Sequence, residues 1–73
     1  MNGFPDAATV KRIKDKYPEG TKVRLVRMED RQAPPIGTIG TVMYVDDVAT
    51  VHVAWSNGSS LGVVYGDDYC EKV

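Results

Sequence analysis

Three serines, Ser56, Ser59 and Ser60, surround Asn57-Gly58 directly after Trp55, the only tryptophan, and shortly after His52, the only histidine. A hydroxyl near an imidazole is the starting material of nucleophilic catalysis, which also needs a group to orient the base and donors for an oxyanion. The strained Gly-x-Ser-x-Gly elbow is missing from "AWSNGSSLG". Asn-Gly between alternating apolar residues reads instead as a hairpin turn. No catalytic residue is assigned, and the chain is expected to be non-enzymatic. The acidic pairs Asp46-Asp47 and Asp67-Asp68 lack the spaced oxygens of a calcium loop and read as turn residues. Cys70, a lone cysteine, can form neither an internal disulfide nor a thiolate zinc site. No metal and no cofactor is expected.

The basic residues are unevenly spread. Over residues 1–31, eight Lys and Arg stand against five Asp and Glu, whereas beyond them Lys72 alone stands against Asp46, Asp47, Asp67, Asp68 and Glu71, for a net charge of -1. That balance argues against bulk polyanion binding, yet a one-sided basic face suits phosphate or carboxylate. Lys22 and Arg24 alternate outward from a strand, and Arg27 and Arg31 lead into "EDRQAPPIG", where Pro34-Pro35 makes a semi-rigid loop. Lys22, Arg24, Arg27, Arg31, Pro34, Pro35 and the less constrained Tyr69 form the candidate binding surface. Trp55, Tyr44 and Tyr65 have the chemistry to stack on bases or on a proline-rich peptide, but they fall among valines and are read as core.

These side chains must be positioned by one small domain, since 73 residues leave no room for a second. Residues 1–17 carry the N-terminal helix: Asp6 is its N-cap, Val10, Ile13 and Tyr17 recur on one face, and Pro18 and Gly20 end it. The period then changes to two, and "KVRLVRM" is a first strand with Val23 and Leu25 inward. A three-residue loop, Ser56-Asn57-Gly58 with Gly58 left-handed, pairs Val53 with Leu61, Val51 with Val63 and Ala49 with Tyr65. His52, Ala54, Ser60 and Gly62 then share the other face. A turn at Asp46 to Ala49 pairs Tyr44 with Val51, Val42 with Val53 and Gly40 with Trp55, where the missing side chain leaves space for the ring. "YCEKV" is a terminal strand. No internal repeat is read. The helix is expected to dock on Met43, Val45 and Val64 of the outer face. Residues 18–73 are thus expected to be a mainly β, SH3-like barrel of about five strands, carrying the short N-terminal helix.

"KYPEGTKVRLVRMEDRQAPPIGTIGTV", then "VDD", "VHVAWSNGSSLGV" and "GDDY", resembles the small bacterial and phage-associated family catalogued as domain of unknown function 4314. The resemblance runs from about Lys16 to Tyr69 and implies a compact SH3-like β domain with no known activity. Ser56 departs from it, because members often carry Asp before Asn-Gly. "GTIGTVMYVD" and "VHVAW" are more loosely similar to the KOW-type motifs of ribosomal and transcription proteins. The expected function is an interaction module that binds another protein through the loop 29–37 and the adjacent barrel surface. The alternative is a weak nucleic-acid binder using the basic face. Met1 to Pro5 shows no basic segment followed by an apolar stretch, and no run is long enough to span a bilayer, so a cytoplasmic protein without a membrane partner is expected.

Overall fold

Asp6 starts the helix as its sequence position suggests. In the computed structural model, which describes residues 5–73, its carboxylate accepts from the backbone N–H of Thr9 at 2.8 Å. Helix α1 (Ala7–Lys16) follows, and Tyr17 closes it ahead of Pro18. The reading of the first residues as lacking a leader rests on Met1 to Phe4, outside the described residues. Among those described, no helix is long and apolar enough to cross a membrane.

Period-two alternation produces β1 (Lys22–Arg27), β2 (Ile39–Val45), β3 (Val51–Trp55) and β4 (Tyr69–Lys72). They form one antiparallel sheet in the order β3-β2-β1-β4. Val23 and Leu25 of β1, Val42 of β2, Val53 and Trp55 of β3 and Cys70 of β4 turn inward and are buried. Gly40 faces Trp55 as expected. A Cβ there would lie 2.7 Å from the ring's Cε3, so only glycine lets the indole lie against β2.

The Ser56-Asn57-Gly58 loop forms as read. Gly58 has φ 92°, the Trp55 N–H donates to the Ser59 carbonyl at 2.9 Å, and Val51 pairs with Val63. The expected third meander strand is nevertheless a single bridge, leaving four strands in an open sheet where about five in a barrel were expected. The cause is local. The Leu61 carbonyl accepts from Trp55 Nε1 at 2.9 Å, and the Leu61 N–H donates to Ser59 Oγ at 3.2 Å. Both backbone groups needed for the Val53–Leu61 rung are thus committed elsewhere.

Three placements differ from the sequence reading. A bulge between Val42 and Tyr44 shifts the register by one, so Tyr44 pairs with His52 and Val45 with Val51. One extra residue exchanges the two faces, and Tyr44 is exposed rather than core. Tyr65 is exposed as well: past Val63 the chain turns, with the Asp67 and Asp68 N–H groups both donating to the Val64 carbonyl. The helix, finally, does not sit on an outer face. Ile13 and Tyr17 join the same core cluster as Val23, Leu25 and Trp55, with Val10 packed against it; of the three expected contacts Val45 also packs against this cluster, while Met43 and Val64 stay exposed. An open sheet has one apolar face to cover, and α1 covers it.

A short repeat emerges that the sequence reading passed over. Pro18-Glu19-Gly20-Thr21 and Pro35-Ile36-Gly37-Thr38 adopt the same turn, with Gly20 at φ 91° and Gly37 at φ 94°. In each, the threonine N–H and Oγ1 both donate to the proline carbonyl. The Gly20 N–H then donates to Val42 O and the Gly37 N–H to Leu25 O, both at 2.8 Å. The two turns therefore clamp opposite ends of the β1–β2 pair, which fixes the register of the central strands.

Candidate functional site

The outward face of the sheet carries the residues that alternation left pointing away from the core. Glu71, Arg24 and Ile39 form one row across β4, β1 and β2, and Lys22 and Thr41 sit beside each other in the next. A bulge at Val26 puts Arg27 opposite Tyr69, so the guanidinium and the phenol share this face. The loop after β1 adds Pro35 and Ile36, which are exposed, Ile36 at 62%. Asp30 holds the loop's bend, its Oδ1 accepting from the Gln32 N–H at 2.8 Å.

Six of the seven expected surface residues are accessible: Lys22, Arg27, Arg31, Pro35 and Tyr69 are exposed and Arg24 is half-buried. Pro34 is buried, which corrects its assignment to a free surface. Two of the four cations on this surface face carboxylates. Arg24 Nη1 lies 2.7 Å from Glu71 Oε2, and Arg27 Nη2 lies 3.6 Å from Glu29 Oε2. Lys22 Nζ donates to Thr41 Oγ1 at 2.6 Å. Among the described residues neither Lys22 nor Arg31 pairs with a carboxylate.

The sequence reading missed the most organised polar group. Asp46 Oδ1 accepts from the Val48 and Thr50 N–H groups at 3.0 and 2.9 Å, and its Oδ2 lies 2.9 Å from His52 Nε2. The His52 ring stacks on Tyr44 with centroids 4.4 Å apart. Burial pushes the Asp46 carboxyl up, but the hydrogen bonds from His52, Thr50 and Val48 outweigh it and leave the group below the usual carboxylate range. The only signal in the sequence was Asp46 placed six residues before His52 across a turn. In the turn after β3, Asn57 Oδ1 accepts from the Ser59 N–H, and Ser59 Oγ from that of Leu61. On the covered side, Tyr17 OH donates to the Cys70 carbonyl at 3.3 Å. Burial raises the Tyr17 phenol to about 12 and pushes the Cys70 thiol up as well. Among the described residues no three His, Cys, Asp or Glu side chains converge on one point.

The molecule is thus a small, mainly β domain, an open antiparallel sheet covered by one helix, whose accessible features are a mixed outward face and a polar hairpin. It belongs to the family described as Domain of unknown function (DUF4314), whose sequence model matches residues 6–73. No curated protein and no solved structure matches the chain.

Proposed function

We propose that the protein is a non-enzymatic interaction module that binds another protein through the loop 29–37 and the adjoining outward face of β1, β2 and β4. One observation carries this reading: Ile39 and Tyr69 are exposed opposite Arg24 and Arg27, whose guanidinium groups already face carboxylates, and Val26 and Ile36 are exposed as well. Apolar and aromatic area next to locally compensated charge suits a protein interface, whereas a polyanion site needs cations free to replace counterions. The same reading takes the β1–β2–β3 order, the β1–β4 pairing and the Val51–Val63 bridge as an SH3-like arrangement, and sets the module in the cytoplasm, where a lone thiol stays reduced. A second reading, weak KOW-like nucleic-acid binding, draws on Lys22 and Arg31, which lack carboxylate partners among the described residues.

Affinity capture from host lysate, with and without nuclease, tests both. Protein partners that survive nuclease, and that are lost with Ile36→Asp and Tyr69→Ala, support the module. Loss of every partner on nuclease treatment supports the nucleic-acid reading instead.

A further inference from the structure

A groove of about 550 Å³ is lined by Arg27 to Asp30 at the end of β1, by residues between Leu61 and Asp68, and by Thr50 and His52. Met28, Leu61 and Val64 give it apolar wall, and Glu29, Asp30, Asp67 and Asp68 bring four carboxylates against one guanidinium, that of Arg27. Glu29 and Asp67 are exposed, while Asp68 Oδ2 accepts from the Val64 N–H at 3.0 Å.

The His52 imidazole adds a polar ring to the groove lining. An ionised Asp46 carboxylate only accepts, so the proton between it and His52 resides on Nε2. Nδ1 is the ring nitrogen that this contact leaves free among the described residues. It lies on the Gly62 side, 3.7 Å from where a Cβ would stand on that groove residue. Tyr44 stacks on the ring from β2, and Arg27, Glu29, Asp30, Asp67 and Asp68 are the other charged groups around the groove. Apart from Arg27, the charged groups lining the groove are carboxylates, which only accept.

We infer that this groove receives an arginine-bearing peptide segment of the protein partner. A guanidinium supplies five donors in a plane to a site rich in acceptors, and its aliphatic stem matches the wall of Met28, Leu61 and Val64. The proposal rests on the interaction-module reading and names the chemistry of the partner. Arginine is the committed occupant, since a carboxylate-bearing segment would meet like charge on the rim.

The probe is a fluorescein-labelled octapeptide of alternating leucine and arginine, with a leucine–glutamate octapeptide as control. It is titrated by anisotropy and mapped by amide chemical shifts on the full chain. The arginine peptide is expected to bind and to shift Leu61, Gly62, Gly66 and Asp67, with the glutamate peptide at least about tenfold weaker. Glu29→Lys with Asp67→Lys is expected to weaken binding about tenfold or more. Glu29→Gln with Asp67→Asn, which adds no charge, is expected to do so by a smaller factor and serves if the first pair fails to fold. The proposal is overturned if the arginine peptide does not bind at about 1 mM, if neither pair of variants weakens it, if the glutamate peptide binds as tightly, or if the shifts gather on Arg24 and Tyr69. Any of these results, with partners still captured and still lost on Ile36→Asp, removes the groove and leaves the module.

Discussion

Two hairpins of the same geometry solve the same backbone problem with different chemistry. In the first, the Asp46 N–H donates to Thr50 O and the Ala49 N–H to Asp46 O; in the second, the Trp55 N–H donates to Ser59 O and the Gly58 N–H to Trp55 O. Each loop holds three residues, the third left-handed. At Gly58 that conformation is free of Cβ strain, and the residue is exposed. At Ala49, φ is 62°, a conformation that costs a residue with a side chain about 1–2 kcal/mol. The first hairpin tolerates it for two reasons visible in the structure. The Ala49 methyl is buried beside Ile13, Tyr17, Val51 and Val63, and the Asp46 carboxylate holds the loop through two N–H groups and His52. Tertiary contact can thus take the place of the residue that local conformation prefers.

Removing that carboxylate separates the hairpins most sharply. Asp46→Ala leaves two backbone donors and the imidazole without their acceptor and is expected to destabilise the domain by about 2–3 kcal/mol, a fall of roughly 10–20 °C in Tm, read by circular dichroism. The same group shapes the acid limb. Its folded carboxyl lies below its ordinary value, so its contribution is present above the unfolded value of about 3.9 and is lost as pH falls through the lower folded one. The drop in urea midpoint between about pH 5 and about pH 2.5 should therefore be smaller in Asp46→Asn than in the parent. An equal drop would show that the carboxylate's charge does not hold the loop.

The hairpins touch at Gly62, where a Cβ would lie 2.6 Å from Thr50 Cγ2. Gly62→Ala is expected to cost about 1–2 kcal/mol by forcing the Thr50 side chain aside; the double variant with Thr50→Ser, which lacks that methyl, should recover part of the loss in chemical denaturation. Gly58→Ala should cost about 1 kcal/mol, from left-handed strain alone, since no atom lies within 4 Å of the added carbon. Ala49→Gly is the finest test. Relief of strain offsets the lost burial of a methyl, about 0.8 kcal/mol, so the net change should stay within about 0.5 kcal/mol. A loss well beyond that would mean that packing beside the cavity of about 60 Å³ at Ala49 dominates the first hairpin.

Much of this arrangement was written in local pattern. Val23 and Leu25 inward against Lys22 and Arg24, Asp6 at the helix start, Gly40 facing Trp55 and the Ser56–Gly58 loop all follow from periodicity and turn chemistry, which act over a few residues. The repeated Pro-x-Gly-Thr was equally legible, since both copies stand in the sequence, but its significance lies in the two glycine N–H groups reaching across β1 and β2. The candidate surface was readable as a set of outward residues. Its character was not: Arg24 meets Glu71, 47 residues away in sequence, and Pro34 turns inward.

By itself, the sequence determined which residues turn, which alternate and where the helix begins and ends, because capping, left-handed glycines and the two-residue period are settled by neighbours in the chain. Only the tertiary structure decided that Tyr44 faces solvent, that the Leu61 rung gives way to the indole of Trp55, that α1 covers the open sheet, and that Asp46 and His52 meet. The first depends on a single-residue bulge and the second on competition for one hydrogen bond. Such choices differ by about 1 kcal/mol locally, and the packing of distant segments decides between them.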